Sequence, residues 1–284
     1  MPKKFTIPTY LAFGWLTLAG LMAIFGSFLP VDSYQTIHGD FLDAPPLTGG
    51  HLFGVDSNGY DIFSGIINGA RLSLFVAIFT VGIGGFIGSF LGVTGAYFRG
   101  RYDSVVSTGF NVVLSVPNLV LALALVAVLA TNVDVNEAVA PWRRLTTLMI
   151  SLTIVIIPIL GRIARAATLA WSGREFVTAA RLDGASEGRI IFRHMLPSFS
   201  SHIIASISLA IPAMILAETS LSFLGLGLQP PTISWGVLLR EAQNIRSIAT
   251  APWLFAPGAA VVLAVMALNF LGDGLRDASD PYNK

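Results

Sequence analysis

The sequence predicts an all-α integral membrane protein with six transmembrane helices and a polar helix pair on its cytoplasmic side. Three observations predict it. Of the 284 residues 54% are hydrophobic and 12% charged, and mean hydropathy is +0.73, whereas soluble domains carry roughly 25% charged residues. Six apolar stretches approach the roughly 20 residues that cross about 30 Å of hydrocarbon as a helix. Between two of them, the insert Ser172 to Pro197 gathers seven charged residues of both signs.

The predicted spans are residues 9–29, 73–97, 105–130, 145–166, 200–224 and 253–271. Met1 to Lys4 precede an apolar run that is too long for a cleaved signal and lacks a small-residue cleavage site, so the first span is read as uncleaved. Residues 1–70 then form an N-terminal span with an outer loop, and residues 71–284 a core with five spans. With the N-terminus inside, 12 of the 17 Lys and Arg residues fall in inner segments; Arg71, Arg143, Arg144, Arg240 and Arg246 fall outside. That bias places both termini and the polar insert in the cytoplasm. The loop from Pro30 to Arg71, rich in Asp, Gly and Pro, is the longest outer connection.

Within the second span, Gly84, Gly88, Gly92 and Ala96 recur every fourth residue, a stripe that lets another backbone approach closely. Pro117, Pro158, Pro212 and Pro257 each sit in a span, where proline bends the helix, as a plain kink or as the hinge of a gate. Glu218 is the one acidic residue well inside a span. It suits either a translocation path or a structural hydrogen bond with neighbouring Thr219, Ser220 and Ser222. Asn111, Ser115 and Asn118 share one face of the third span and either line a route or bond helix to helix.

The polar insert reads as helix, Gly184, helix. Ser172 and Glu175 have capping-box spacing. Phe176, Ala179, Ala180 and Asp183 follow at helical intervals, and Gly184 supplies the left-handed residue that ends the helix. Ser186 caps a second short helix carrying Ile190 and Ile191, which Pro197 stops. A helix pair also reads nucleic acid, but here Arg174, Arg181, Arg189 and Arg193 are nearly cancelled by Glu175, Asp183 and Glu187, and no basic face results.

Several chemistries are excluded. The only lysines are Lys3, Lys4 and Lys284, so no phosphate-binding P-loop is present. There is no cysteine and no G-x-S-x-G elbow, and the four histidines show no ligand spacing. The chain is read as a non-enzyme without a metal or other cofactor of its own.

The insert resembles the EAA loop of ABC-importer permeases, a Glu-Ala-Ala, three residues, Gly, then Leu-Pro pattern. Ala179, Ala180, Gly184, Leu196 and Pro197 match in register, while Thr178 stands at the usual glutamate and His194 at a common isoleucine; Glu175 lies one turn earlier. HLFGVDSNGYDIFSGIINGARLSL at 51–74, AETSLSFLGLGLQPPTISWGVLL at 217–239 and LGDGLRDASDP at 271–281 are similar to the second permease of the dipeptide, oligopeptide and nickel class. The resemblance implies a type I importer fold, a homologous second permease subunit, and ABC ATPase subunits that bind ATP and Mg. It also implies an extracytoplasmic binding protein that delivers cargo near Pro230, Pro231 and Trp235. Trp235 and Trp253 are read as interfacial aromatics or docking residues. Asp183, Gly184, Ala185 and Ser186 would form the tip of a coupling helix pair docked on the ATPase. The cargo implied is a peptide, with nickel or another small solute as the alternative. A gradient-driven secondary transporter is the reading from another class, and it asks for more intramembrane ionisable groups than Glu218.

Overall fold

Asp61 starts the longest helix: its carboxylate accepts the Ser64 backbone N–H at 2.7 Å, satisfying one donor of the first turn. The computed structural model describes residues 7–25, 34–130, 140–243 and 249–279. The helices are α1 (Ile7–Phe25), α2 (Ile62–Phe98), α3 (Gly100–Leu114), α4 (Asn118–Ala130), α5 (Pro141–Trp171) and α6 (Glu175–Leu182). They are followed by α7 (Glu187–Arg189), α8 (Leu196–Phe223), α9 (Trp235–Arg240) and α10 (Ala256–Ser279). Among the described residues, four helical stretches are long and apolar enough to cross a membrane, or five if the bent pair α3–α4 counts as one. The end of the predicted first span, 26–29, and Arg246 lie outside the described residues.

The pair α2 and α5 is the spine. The expected glycine stripe falls against α5: a Cβ on Gly88 would stand 2.3 Å from the Ile157 carbonyl oxygen, and one on Gly92 2.1 Å from that of Gly161. On α5, Gly161 in turn leaves room for the Phe110 ring of α3. The large side chains of α2 point the other way, with Phe86 74% exposed. Lipid tails are as apolar as these rings, so close packing of small residues, rather than escape from water, holds the helices together. The main core joins α2, α4, α5, α8, α9 and α10, and α1 packs on α2 and α10.

Three sequence expectations change. The third span is two helices, α3 and α4, meeting at 92° around Pro117, which is exposed, whereas Pro158 and Pro212 are buried inside unbroken helices. Pro257 stands in the first turn of α10, where its missing N–H costs nothing. Trp235 is not interfacial: it is 1% exposed, its indole Nε1–H donating to the Ile66 carbonyl at 3.0 Å and its backbone N–H to Ser73 Oγ at 3.1 Å. Half-buried Trp253 points its indole N–H at the Val55 carbonyl, 3.4 Å away.

Candidate functional site

The chain runs down α5 to Trp171, turns, and forms the polar hairpin. Ser172 belongs to the end of α5, its hydroxyl donating back to the Leu169 carbonyl at 3.2 Å. The expected Ser172–Glu175 capping box therefore does not form: α6 opens with Glu175 itself, and Arg174 occupies the cap without a side-chain bond. Gly184 behaves as expected. Its φ is +74, its N–H donates to the Arg181 carbonyl and the Ala185 N–H to Ala180, each at 3.0 Å, closing a Schellman turn. Ser186 sits at the cap of α7 but makes no side-chain cap bond.

Pro197 does not stop the second helix. A π-helical turn, Ile190–Met195, carries α7 into α8, with the Leu196 N–H bonded to the Ile191 carbonyl five residues back. The wider turn and the place of Pro197 in the first turn of α8 let the helix continue past it. Leu196 and Pro197 thus begin the next long helix.

A second apolar core seats the hairpin: Val177, Ala180, Ile190, Ile191 and Met195 are buried with Val93 and Tyr97 of α2 and Ala164 of α5. The opposite surface is open. Glu175, Thr178, Ala179, Asp183, Gly184 and Ser186 are exposed, Ala185 is half-buried, and Leu182 is 85% exposed. Leu182 is thus the most exposed large apolar side chain of the hairpin.

Tyr97 is a residue that sequence reasoning missed. Its hydroxyl donates to the Glu187 carboxylate and the Arg181 guanidinium lies over its ring, 5.4 Å from the centroid. Both hairpin helices are thereby tied to the end of α2. Arg165 of α5, one of the 12 cations counted in inner segments, forks onto Asp103 of α3 with two bonds of 2.7 Å. An aromatic at a helix end and an Arg with an Asp 62 residues away carry no local signal of either contact.

The expected polar face divides. Asn111 and Ser115 on α3 and Asn118 at the start of α4 are exposed, but the 92° bend separates Asn118 from the face of the other two. Glu218 does not join them. It is 0% exposed, accepting from Ser222 at 2.8 Å within α8 and from Ser73 of α2 at 3.2 Å. It ties α2 to α8, with Ser222 also accepting the Leu228 N–H and Ser73 the Trp235 N–H.

Because α5 runs toward the hairpin and α8 runs away from it, the start of α5 and the end of α8 share the far end of the bundle. Residues 34–61 fold there, held by a buried His51–Asp61 pair at 2.9 Å. Asp56 caps the turn, accepting the Asn58 and Tyr60 N–H groups at 2.9 and 2.8 Å. It lines a cavity of about 120 Å³ with Glu241 and Thr232. Burial pushes its carboxyl up to about 6 against the pull of those two N–H groups, with Glu241 and Asp43 adding to the rise. The folded carboxyl holds its proton more tightly than the unfolded one, whose ordinary value is 3.8. Loop stability is thus reduced at neutral pH and recovers as the pH falls through about 6. Protease cleavage within 34–61 is expected to be slower at about pH 5 than at about pH 8. Asp56→Asn, which keeps an oxygen for both N–H groups, should flatten that difference; an undiminished pH response in the variant would assign it elsewhere.

Among the described residues no group of three or more His, Asp or Glu side chains is placed to hold a metal ion. Comparison with known proteins matches residues 84–283 to the family described as binding-protein-dependent transport system inner membrane component. The dipeptide transport system permease protein DppC of Alkalihalophilus pseudofirmus is 38% identical over 266 residues, 93% of this chain and 82% of the relative. The glutathione transport system permease protein GsiD of Pectobacterium atrosepticum is 38% identical over 256 residues, covering 90% and 80%. GsiD of Escherichia coli O6:K15:H31 is 39% identical over 265, covering 93% and 83%. With its apolar helices and this match over most of its length, the chain is a multi-pass membrane protein and belongs to the family of inner membrane components of binding-protein-dependent transport systems.

Proposed function

We propose that this chain is the permease subunit of an ATP-driven ABC importer for peptides, and that the α6–α7 hairpin is its coupling element. The observation that carries this reading is the hairpin's two-sidedness: one face is packed on α2, α5 and the root of α8, and the other presents exposed Leu182 beside Thr178, Ala179, Asp183 and Gly184. A cytoplasmic ATPase subunit, binding ATP and Mg itself, takes that open face; Glu175, Ala180, Ala185, Ser186, Leu196 and Pro197 shape and hold it. Closure of the ATPases then moves α2 through Tyr97 and α5 through its direct covalent continuation. Such coupling requires the dock to differ in energy between two global states.

The fold is that of a six-span type I importer permease, α1, α2, the bent α3–α4 pair, α5, α8 and α10 crossing in turn with both termini cytoplasmic. The arginine bias of the sequence and the placement of the hairpin and the 34–61 loop at opposite ends support this. A homologous second permease completes the pathway, to which exposed Asn111, Ser115 and Asn118 contribute polar groups, and a binding protein delivers cargo to the end opposite the hairpin. Peptide cargo is supported by relatives named for dipeptide and glutathione transport.

The test is disulfide trapping. In the cysteine-free chain, Leu182→Cys is expected to crosslink to single cysteines in the groove of the partner ATPase, with a yield that changes between nucleotide-free and ATP-bound states. A cysteine at exposed Phe86, in the middle of α2 and away from the hairpin tip, should not crosslink. Failure of Leu182→Cys to reach any ATPase cysteine overturns the reading.

A further inference from the structure

We propose that the pocket at the start of α5 is a carboxylate subsite that takes the C-terminal end of the cargo; it rests on the peptide-import reading. The pocket has a volume of about 200 Å³, with Arg143, Arg144 and Thr147 on one wall, the Gly225–Gly227 turn and Gln229 on another, and apolar Val126 and Leu129 of α4 opposite. It lies at the end of the bundle remote from the hairpin, where cargo arrives. Drug-sized ligands fill roughly 300–1,000 Å³, so a space of this size receives one end of a molecule rather than the whole.

Its chemistry is specific. Arg144 is half-buried and donates to the Gln229 side-chain oxygen, and the Gln229 amide donates to the Gly225 carbonyl, so the guanidinium is held in place by a chain of two hydrogen bonds. A guanidinium carries five donors in a planar fork, and one bond to Gln229 leaves the others to recognise a planar anion. Arg240 adds a third cation on the far side of the same turn: its guanidinium carbon lies 3.3 Å from where a Cβ on Gly225 would stand. Gly225, with φ +78, meets both the need for a left-handed residue and this close approach. On the α4 side the pocket is lined by apolar side chains, of which Val126 is buried and Leu129 is 39% exposed. The two arginines that line the pocket, with Arg240 behind the turn adding only to the field, fit a carboxylate, which every unmodified linear peptide carries at its end, and they fit the phosphate of an anionic lipid by the same geometry.

The experiment separates those sources. The complete transporter with its binding protein, reconstituted in vesicles, is assayed for uptake of alanyl-alanine and of its C-terminal amide. The binding protein is the same throughout, so its own preference cancels when the acid-to-amide ratio is compared between permease variants. Arg144→Gln is expected to lower that ratio by about tenfold, as loss of a charged hydrogen bond does. Arg143→Gln, an exposed position, should lower it less, and Arg144→Lys should restore part of it. An unchanged ratio in both glutamine variants overturns the proposal, as does equal loss for acid and amide, the result expected of a lipid contact or a packing defect. A second readout does not need transport. In the detergent-purified complex, modification of Arg144 by phenylglyoxal, followed by mass spectrometry, should be slowed by alanyl-alanine and not by the amide. Absence of that protection refutes the subsite, while protection without uptake refutes the peptide-import reading instead.

Discussion

A chain carrying Gly184→Val is expected to insert and accumulate normally yet lose at least about tenfold in transport and in cargo-stimulated ATP hydrolysis, as a hairpin tip displaced by a fraction of a turn would. The cause is confined to the backbone. No atom outside the local chain lies within 4 Å of a Cβ built on Gly184, so the new side chain meets open space, but φ at +74 is a region that β-branched residues rarely enter. Holding an L-residue there costs roughly 1–2 kcal/mol, comparable to the two backbone bonds that the turn supplies through Gly184 and Ala185. Valine therefore favours opening the Schellman turn, and with it goes the angle between α6 and α7 at the exposed tip. Gly184→Asn is the control, since asparagine tolerates the left-handed region; it should keep most of the activity. Equal loss in both variants would point to a need for the small side chain itself, and full activity in Gly184→Val would remove the tip from the coupling route.

The second large effect is expected from a single methyl group. Gly92→Ala places a Cβ 2.1 Å from the Gly161 carbonyl oxygen and 3.0 Å from the Arg165 backbone nitrogen. Both obstacles are main chain on α5 and cannot rotate away, so α2 and α5 must separate. Overpacking of this kind costs about 3 kcal/mol, which lowers the midpoint of thermal unfolding by roughly 6–12 °C in a chain of this size. Gly82→Ala, on the same helix with no atom within 4 Å of its Cβ, should not lower the midpoint, since alanine is the better helix former. A midpoint in Gly92→Ala equal to that of Gly82→Ala would rule out the close α2–α5 contact.

Much of this was legible in the residues because it depends on local patterns. Hydropathy located the long helices, the four-residue glycine interval marked the face of α2 that meets α5, and the register around Gly184 marked a left-handed turn. The rest depends on what each residue meets. Pro117, Pro158 and Pro212 look alike in sequence, each inside an apolar run. Pro158 and Pro212 are buried within helices that continue past them, while Pro117 is exposed and the helix breaks there. Trp235 reads as an interfacial aromatic or a docking residue until Ile66 and Ser73, more than 160 residues earlier, are seen to bind its two N–H groups. Ser172 fits a capping box by spacing, but α5 extends far enough to claim it first.

The buried bond between Glu218 and Ser73 also favours one order of biogenesis. The Glu218 side chain is fully buried and accepts a hydrogen bond from Ser73, 145 residues nearer the ribosome's starting point. A lone acid is costly to release into hydrocarbon, so α8 can leave the insertion machinery cheaply only once α2 is waiting beside it. Synthesis from the N-terminus guarantees that sequence of arrival, and a circularly permuted chain that made α8 first would forfeit it.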